Sequence, residues 1–405
     1  MKQEELLGNH IDVINGYAFK SLNFLNEKEE GALPVIKIKN VANGDVHLNG
    51  VQYHANDNSL SRFIVKKGDV LLALTGNHPS AMTQVVGEAS LYKLNEKAFL
   101  NQRVAKIKPK ESLDNDYLYY FLKDDATHDF LANQSSGSAN QANISKSDIE
   151  NIPIELPLFH EQKAIATVLS SIDDKIDLLH RQNVTLEVMA ETLFRQWFME
   201  EAKEDWEEVK IKDFEVVVTD FVANGSFASL KDNVTLVTER EDYALFMRNT
   251  DLKSDFKTKV YVTEHSYNFL NKTKLFGNEV IISSVGDVGS VYRCPKFNIP
   301  MTLGNNVIML KSKYSYFFYL FFKSEHGQNL LYGITSGSVQ EKFNKTSFRD
   351  IVLIYPSIDF IQDFENTVKP FFDKIDINKT QIRTLTTLRD TLLPKLMSGE
   401  VRVKM

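Results

Sequence analysis

Two long stretches of the chain place apolar residues at alternating steps of three and four, the spacing of a coiled-coil helix. The first stretch places at these positions Ile165, Leu169, Ile172, Ile176, Leu179, Asn183, Leu186, Ala190, Leu193 and Trp197. The second places there Ile361, Phe364, Val368, Phe371, Ile375, Asn378, Ile382, Leu385, Arg389, Leu392 and Leu396. The pattern predicts two long helices that pair with each other.

Each helical stretch follows a segment with a different pattern. Short β-branched runs such as DVLLALT and VAKIK, then EVIISS and DIVLIYP, alternate with loops rich in Asn, Gly, Ser and Thr. Each segment also contains one aromatic helical stretch, near Tyr117 and near Tyr316. This alternation predicts a mixed α/β domain before each helix.

The chain is an internal repeat. The tetrapeptide DKID occurs at 174–177 and again at 373–376, Ser136-Gly137-Ser138 matches Ser336-Gly337-Ser338, and YYFLK lies opposite YLFFK. Such self-similarity indicates duplication of a whole unit. We therefore predict a first domain over residues 1–158, a first helix over 159–204, a second domain over 205–357, and a second helix with a tail over 358–405.

Asparagine occupies one seam position in each helix. Antiparallel pairing about the helix midpoints places Asn183 opposite Asn378, and we predict that the two amides hydrogen-bond and fix the register. In the alternative, each Asn faces water where the seam opens. Pro370 predicts a kink in the second helix or marks its true start.

Composition is that of a globular protein, with 43% hydrophobic and 25% charged residues. The first residues have no apolar run of signal-peptide length, so we expect a cytoplasmic protein. The single cysteine, Cys294, excludes an intramolecular disulfide. The net charge of −7 disfavours nucleic acid as an average, but the excess acidity is concentrated between residues 160 and 205.

Motifs of the enzymes that act on DNA are missing. There is no Gly-Lys dipeptide of a phosphate loop, no Pro-Pro dipeptide of an amino-methyltransferase site, no GxGxxG and no HExxH. The nine histidines form no ligand or catalytic set along the sequence. The chain therefore has the character of a binding protein.

Several longer passages carry a family likeness. The segments LPLFHEQKAIATVLSSIDDKIDLL, LFRQWF and LRDTLLPKLMSGEVRV resemble the helical parts of specificity subunits from type I restriction-modification systems. The segments LGNHIDVINGYAFK and SGSANQANISKSDIENIPIELP resemble the beginning and the end of the target recognition domains of those subunits. The likeness covers both repeats.

The resemblance implies an α+β fold, with two α/β target recognition domains in a pseudo-twofold repeat joined by two long antiparallel coiled-coil helices. Each domain would read one half of a bipartite, asymmetric, gapped site in double-stranded DNA. Two methyltransferase subunits and restriction subunits would dock on this non-catalytic chain. S-adenosylmethionine, ATP and Mg would be bound by those partners, with no cofactor on this chain.

Two other functions stay open from the residues alone. The first is a scaffold that uses its coiled coil to bind proteins and binds no DNA. The second is a stand-alone nuclease or methyltransferase, which the missing motifs disfavour.

Base readout requires short polar side chains and Lys or Arg on exposed loops. In the first domain the candidates are Thr75, Asn77, His78, Ser136, Ser138, Asn140 and Gln141. In the second they are Ser283, Ser284, Ser336, Ser338, Gln340 and Lys342. The alternative for each is that it merely forms a turn or a helix cap.

The end of the first helix is unusually apolar. Phe194, Trp197 and Phe198 either pack under the second domain or anchor a methyltransferase subunit. Near the end of the second helix, Gly399 predicts a helix stop followed by a short strand.

Overall fold

The computed structural model describes residues 5–42, 44–77, 86–138, 141–200, 206–337 and 341–404. It divides into two compact units. Unit 1 comprises Met1–Asp177 together with Arg383–Met405, and unit 2 comprises Leu178–Ile382. Each unit therefore contains one domain and a part of each long helix.

Unit 1 is built on two four-stranded sheets. Its strands are β1 (Glu5–Leu6), β2 (Ile11–Asn15), β3 (Ala32–Ile36), β4 (Val41–Ala42), β5 (Asp45–Val46), β6 (Gln52–Ala55), β7 (Ile64–Val65), β8 (Val70–Ala73), β9 (Thr75–Gly76), β10 (Ala89–Leu91), β11 (Ala98–Leu100), β12 (Val104–Pro109), β13 (Ser136–Ser138), β14 (Gln141–Asn143) and β15 (Pro153–Ile154). One sheet has the order β10-β8-β12-β2 and is antiparallel. The other has the order β6-β3-β11-β7, in which β3 and β11 are parallel.

The helices of unit 1 pack on these sheets. They are α1 (Asn115–Lys123), α2 (Asp125–Gln134), α3 (Lys146–Glu150) and the long α4 (Phe159–Arg195), which continues into unit 2. Short 3₁₀ helices cover Leu7–Asn9, Ser21–Asn23, Ile38–Asn40 and Asn58–Phe63. Helix α1 begins at a good cap, since the Asp114 carboxylate accepts hydrogen bonds from the N–H groups of Asp116 and Tyr117.

Unit 2 repeats the two-sheet arrangement of unit 1, with five strands instead of four in the second sheet. Its strands are β16 (Glu207–Lys210), β17 (Val217–Asp220), β18 (Leu236–Val237), β19 (Ala244–Met247), β20 (Tyr261–Val262), β21 (Lys274–Leu275), β22 (Val280–Ser283), β23 (Val291–Arg293), β24 (Met301–Leu303), β25 (Val307–Lys311) and β26 (Val352–Tyr355). The antiparallel sheet β17-β25-β22-β23 matches β2-β12-β8-β10. In the sheet β18-β20-β19-β24-β21, strands β19 and β24 form the one parallel pair, as β3 and β11 do in unit 1.

The helices of unit 2 include one very apolar segment. They are α5 (Phe227–Asn233), α6 (Asn249–Lys253), α7 (Glu264–Phe269), α8 (Ser315–Lys323), α9 (Glu325–Gly333), α10 (Lys345–Arg349) and α11 (Ile358–Met397), the last of which continues into unit 1. A π-helical turn covers Gln196–Glu200, and 3₁₀ helices cover Ile211–Asp213, Phe221–Asn224 and Asn271–Thr273. The predicted aromatic helices near Tyr117 and Tyr316 are thus confirmed as α1 and α8.

Both long helices contribute to the core of each unit. In unit 1, Ile165 and Leu169 of α4 share one apolar cluster with Leu393 and Leu396 of α11 and with helix α1. In unit 2 the shared cluster contains Phe194 of α4, Phe364 and Phe372 of α11, and the whole apolar face of α8. The two domains are therefore not closed structures that merely attach to a helix.

The paired segments run antiparallel within unit 2. Asn183 contacts Asn378, whereas Phe194, further along α4, contacts Phe364, which lies earlier in α11. The predicted amide contact is present: Asn378 Nδ2 donates to Asn183 Oδ1 at 2.9 Å. Asn378 is fully buried, so its water-facing alternative is wrong. That this bond fixes the register stays a prediction.

The start and the end of α11 correct two expectations. The helix begins at Ile358 and passes through Pro370, so this proline does not mark its start. At the other end Gly399 has φ of +74°, a left-handed conformation that suits glycine after a helix. Residues 400–404 form no strand, and the predicted short strand is wrong. Val403 instead packs against the core of unit 1 as an apolar anchor.

Helix α8 begins without a cap from its own segment, and α11 supplies one. Tyr314, at the cap position, makes no side-chain bond to the first turn. Instead Glu365 Oε1 accepts a hydrogen bond from the N–H of Phe317 at 2.6 Å. Burial raises the pKa of Glu365 to about 8, although the bonds from the N–H groups of Phe317 and Tyr316 lower it.

Asn183→Ala should lower the free energy of unfolding by about 1–3 kcal/mol, because it removes the nearer acceptor of the buried Asn378 amide and leaves only Gln182 Oε1 at 3.4 Å. Urea unfolding of the full chain with Asn183→Ala, Asn378→Ala and both together gives the coupling energy of the bond. Val184→Ala, on an exposed part of α4, is the control and should change little. A coupling energy of zero would contradict the prediction.

Glu365→Gln should change how stability depends on pH. In the native state the pKa of Glu365 is about 8, whereas the ordinary pKa of a glutamate in an unfolded chain is 4.5. The native state binds more protons between these values, so the free energy of unfolding falls as pH rises through this window. The free energy of unfolding of the Gln variant should not fall in this way, and at pH 8.5 it should exceed that of the parent by more than about 1 kcal/mol. Urea unfolding at pH 5 and pH 8.5 measures these free energies. The same change with pH in both proteins would disprove the prediction.

Candidate nucleic-acid interface

The structure brings two predicted loops of unit 1 together. Strands β13, β14 and β9 form one small sheet, in which Ser136 pairs with Asn143, and Asn143 pairs with Thr75. The segment after strand β8 and the Ser-Gly-Ser segment therefore lie side by side, although they are far apart in sequence. This small sheet is the candidate interface of unit 1.

The predicted residues of unit 1 differ in how far they are available. Thr75 is 4% exposed, and its Oγ1 donates to Asn143 Oδ1 at 2.8 Å, so it holds the sheet together. Asn77 also makes an interaction within the chain. His78 and Asn140 lie outside the described residues, as do the side chains of Ser136, Ser138 and Gln141.

Arg103 is a neighbour of this sheet that the sequence did not single out. It is exposed, follows strand β11, and its Nη1 donates to the same Asn143 Oδ1 at 3.2 Å. Its backbone carbonyl accepts a hydrogen bond from the N–H of Leu74 at 3.0 Å. The signal was present in LNQRVAKIK, where an arginine stands in a polar loop between two apolar strands.

Unit 2 contains the same arrangement. Lys342 pairs with both Val285 and Ser336, which joins the two predicted loops of this unit. The carbonyl of Ser284 accepts from the N–H of Phe343 at 3.2 Å, and the N–H of Ser284 donates to the carbonyl of Asn306 at 2.9 Å. These bonds match Ile144 to Leu74 and Leu74 to Arg103 in unit 1.

The predicted residues of unit 2 divide into buried and exposed groups. Ser283 and Ser284 are buried, and Ser283 Oγ accepts a hydrogen bond from Asn249 Nδ2 at 2.9 Å. Ser336 and Lys342 are exposed. Ser338 and Gln340 lie outside the described residues. Burial favours a structural role for the two serines of the strand end, and Lys342 remains the best placed candidate.

The repeated DKID motif joins each domain to a long helix. In unit 1, Lys93 Nζ lies 2.6 Å from Asp177 Oδ2. In unit 2, Arg293 binds Asp376 with two nitrogens, Nη1 lying 3.0 Å from Oδ2. Both basic residues follow a tyrosine in the sequence, Tyr92 and Tyr292, but Arg293 ends strand β23 whereas Lys93 lies two residues after the end of strand β10. The last aspartate of each motif thus binds the basic residue of its own domain.

The two ion pairs differ in burial. The Arg293 side chain is 6% exposed and its guanidinium lies 5.0 Å from the centre of the Phe372 ring. Burial disfavours its charge, but the hydrogen bonds and charge of Asp376 outweigh that effect and raise the pKa of Arg293. Lys93 and Asp177 are both more than one third exposed.

The aromatic end of helix α4 packs inside unit 2. Phe194 and Phe198 are buried and contact Phe317 and Phe364, while Trp197 is partly buried against Phe360. This burial favours local packing for Phe194 and Phe198, since they present almost no surface. A partner-binding role for the three stays a prediction, and Trp197 has the most surface for it.

Within the described ranges, no helix has both the length and the apolar character to cross a membrane. In the same part of the chain, no three His, Cys, Asp or Glu side chains are grouped so that they could hold a metal ion.

Comparison with known proteins identifies the family. The model of the type I restriction modification DNA specificity domain matches residues 7–188 and again 203–387. The chain therefore belongs to the family of type I restriction-modification specificity subunits, which are DNA-recognition and not catalytic components. The double match agrees with the repeat and with the two α/β domains.

Individual relatives are similar over nearly the whole chain. The MjaIX type I restriction enzyme specificity subunit of Methanocaldococcus jannaschii is 25% identical over 414 residues, 95% of this chain and 93% of that protein. The HindI specificity subunit of Haemophilus influenzae is 22% identical and covers 83% of this chain and 87% of its own. A type I S subunit from M. genitalium has a TM-score of 0.54 at 17% identity, over 100% of this chain and 96% of that one, which supports the fold.

The two ion pairs should differ in their contribution to stability. Asp376→Ala should lower the free energy of unfolding by about 3–5 kcal/mol, because it leaves the buried guanidinium of Arg293 without its carboxylate partner. The matched change Asp177→Ala should cost no more than about 1 kcal/mol, because its partner reaches solvent. Urea unfolding of both variants measures the difference. Equal losses would show that burial does not separate the two pairs.

Proposed function

We propose that this chain selects the DNA sequence on which its restriction-modification complex acts. Each unit reads one half of a bipartite, asymmetric, gapped site in double-stranded DNA. The chain also recruits methyltransferase and restriction subunits, two of the former, and these partners bind S-adenosylmethionine, ATP and Mg. Family membership favours this function over a protein scaffold that binds no DNA.

One observation carries the proposal. The small sheet of unit 1 and its counterpart in unit 2 share a backbone hydrogen-bond pattern but carry different side chains. At the exposed loop position bonded to this sheet, unit 1 has Arg103 and unit 2 has Asn306. Bases are distinguished by the donors, acceptors and apolar groups presented to them. One scaffold with two sets of side chains therefore supports two different half-sites and an asymmetric sequence.

The net charge of the chain is more typical of a protein that recognises a DNA sequence than of one that binds DNA non-specifically. Non-specific affinity arises mainly from Lys and Arg near phosphates, and this chain has a net charge of −7. Two lysines that have the charge to contact phosphate are held by the protein instead: Lys106 donates to the carbonyl of Ile64, and Lys272 donates to that of Ala223. We therefore expect the chain to depend on its base contacts and on partner subunits for affinity.

The test is base-resolution mapping of methylated DNA. Cells carry the cognate methyltransferase subunit with this chain, without it, or with a chain whose residues 205–357 are exchanged for those of another specificity subunit. A gapped, asymmetric motif should appear only with the chain, and the exchange should change one half of the motif. The exchange of residues 1–158 is the matched control and should change the other half. Methylation that is the same with and without the chain would reject the proposal.

A further inference from the structure

Arg103 and Asn306 occupy the same position in the two units. Each lies in the loop between matched strands, β11 and β12 in unit 1 and β24 and β25 in unit 2. The carbonyl of Arg103 accepts from the N–H of Leu74, and that of Asn306 from the N–H of Ser284. Both residues are exposed. The backbone hydrogen bond therefore fixes this position in each unit, while the side chain is exposed to solvent.

The guanidinium of Arg103 is held on one side only. Its Nη1 donates to Asn143 Oδ1 at 3.2 Å, and Thr75 Oγ1 donates to the same oxygen at 2.8 Å. Across the described ranges Arg103 takes part in no ion pair, so its other N–H groups are not neutralised by a carboxylate. A planar guanidinium oriented in this way matches the two acceptors of guanine, O6 and N7.

The side chain of Asn306 offers a different chemistry at the same place. Its backbone has φ of +67°, a left-handed conformation that asparagine tolerates better than most residues. Its neighbour Asn305 is exposed as well, and Lys342, the counterpart of Asn143, is also exposed. An amide presents one donor and one acceptor, which match N7 and the N6 amino group of adenine.

We propose that Arg103 and Asn306 are the specificity-determining residues of the two units, Arg103 binding a guanine in one half-site and Asn306 an adenine in the other. This inference rests on the proposed function and adds the residues and bases that would carry it. Asn143 positions the Arg103 guanidinium and touches no base in this scheme. The position is equivalent in the two repeats, but the side chains differ, so the bases read should differ too.

The experiment uses the purified complex of this chain with its methyltransferase subunit and a pooled library of sites that varies every motif position. Methylation rates then give a base preference at each position for the parent, Arg103→Lys and Asn306→Ala. Arg103→Lys retains the charge but loses the planar fork. It should weaken the preference for guanine at one position by about ten-fold or more, and leave the other half unchanged. Asn306→Ala should weaken an adenine preference in the other half only.

Lys108→Ala is the matched control. Lys108 is exposed on strand β12, close to Arg103 in the chain, and carries the same charge. Its loss should slow methylation evenly or not at all, with the base preferences unchanged. If Arg103→Lys and Asn306→Ala also leave every preference unchanged, or lower all rates evenly, the inference is overturned while a chain-dependent motif still supports the proposed function. If the parent complex itself shows no gapped motif, the proposed function fails first.

Discussion

The cores of both units depend on apolar side chains that the long helices contribute from two directions. Helix α1 in unit 1 and helix α8 in unit 2 each carry buried aromatic residues that belong to the main apolar cluster of the unit. Ile165 and Leu169 with Leu393 and Leu396 cover the first, and Phe194 with Phe364 and Phe372 cover the second. Burial of aromatic and aliphatic surface is the largest favourable contribution to folding. Each domain and the long helices therefore share one core and are expected to fold together.

Polar contacts accompany this apolar packing in both units. In unit 2, Asn378 is buried and contacts Asn183, and Arg293 reaches from the sheet to Asp376 on the helix. In unit 1, Asp173 of α4 accepts hydrogen bonds from Tyr120 of α1 and from Arg389 of α11. A slip along the helix would bury these groups without partners, which is costly. We therefore expect the polar groups to select among packings that apolar contacts alone would tolerate.

Much of this organisation could be predicted because it is periodic or repeated. The three-four spacing identified both long helices, and the duplicated segments identified two domains of one fold. The contact of Asn183 with Asn378 followed from the seam alone. Periodicity works here because the same face of a helix is buried over many turns.

The parts that could not be predicted depend on contacts between distant segments. Phe372 lies off the predicted seam because it packs on Tyr316 of the domain, a contact that the spacing within the helix does not encode. The contact of Arg103 with Asn143 exists only in the folded chain, because the two residues are 40 positions apart in the sequence. The predicted strand after Gly399 was wrong because a short apolar segment can be buried without pairing to a sheet. The local sequence pattern does not determine such contacts between residues that are distant in the sequence.

The discontinuity of unit 1 has a consequence for how the protein is made. Unit 2 is a single stretch, Leu178–Ile382, whereas unit 1 needs Arg383 onward in addition to its first 177 residues. On the ribosome the first domain emerges early but waits for Leu393 and Leu396 to complete its core, at synthesis rates of about 5–20 residues per second. The domain translated first is therefore expected to be the last to reach its native state, and we expect a chaperone to bind the apolar surface that Leu393 and Leu396 later cover.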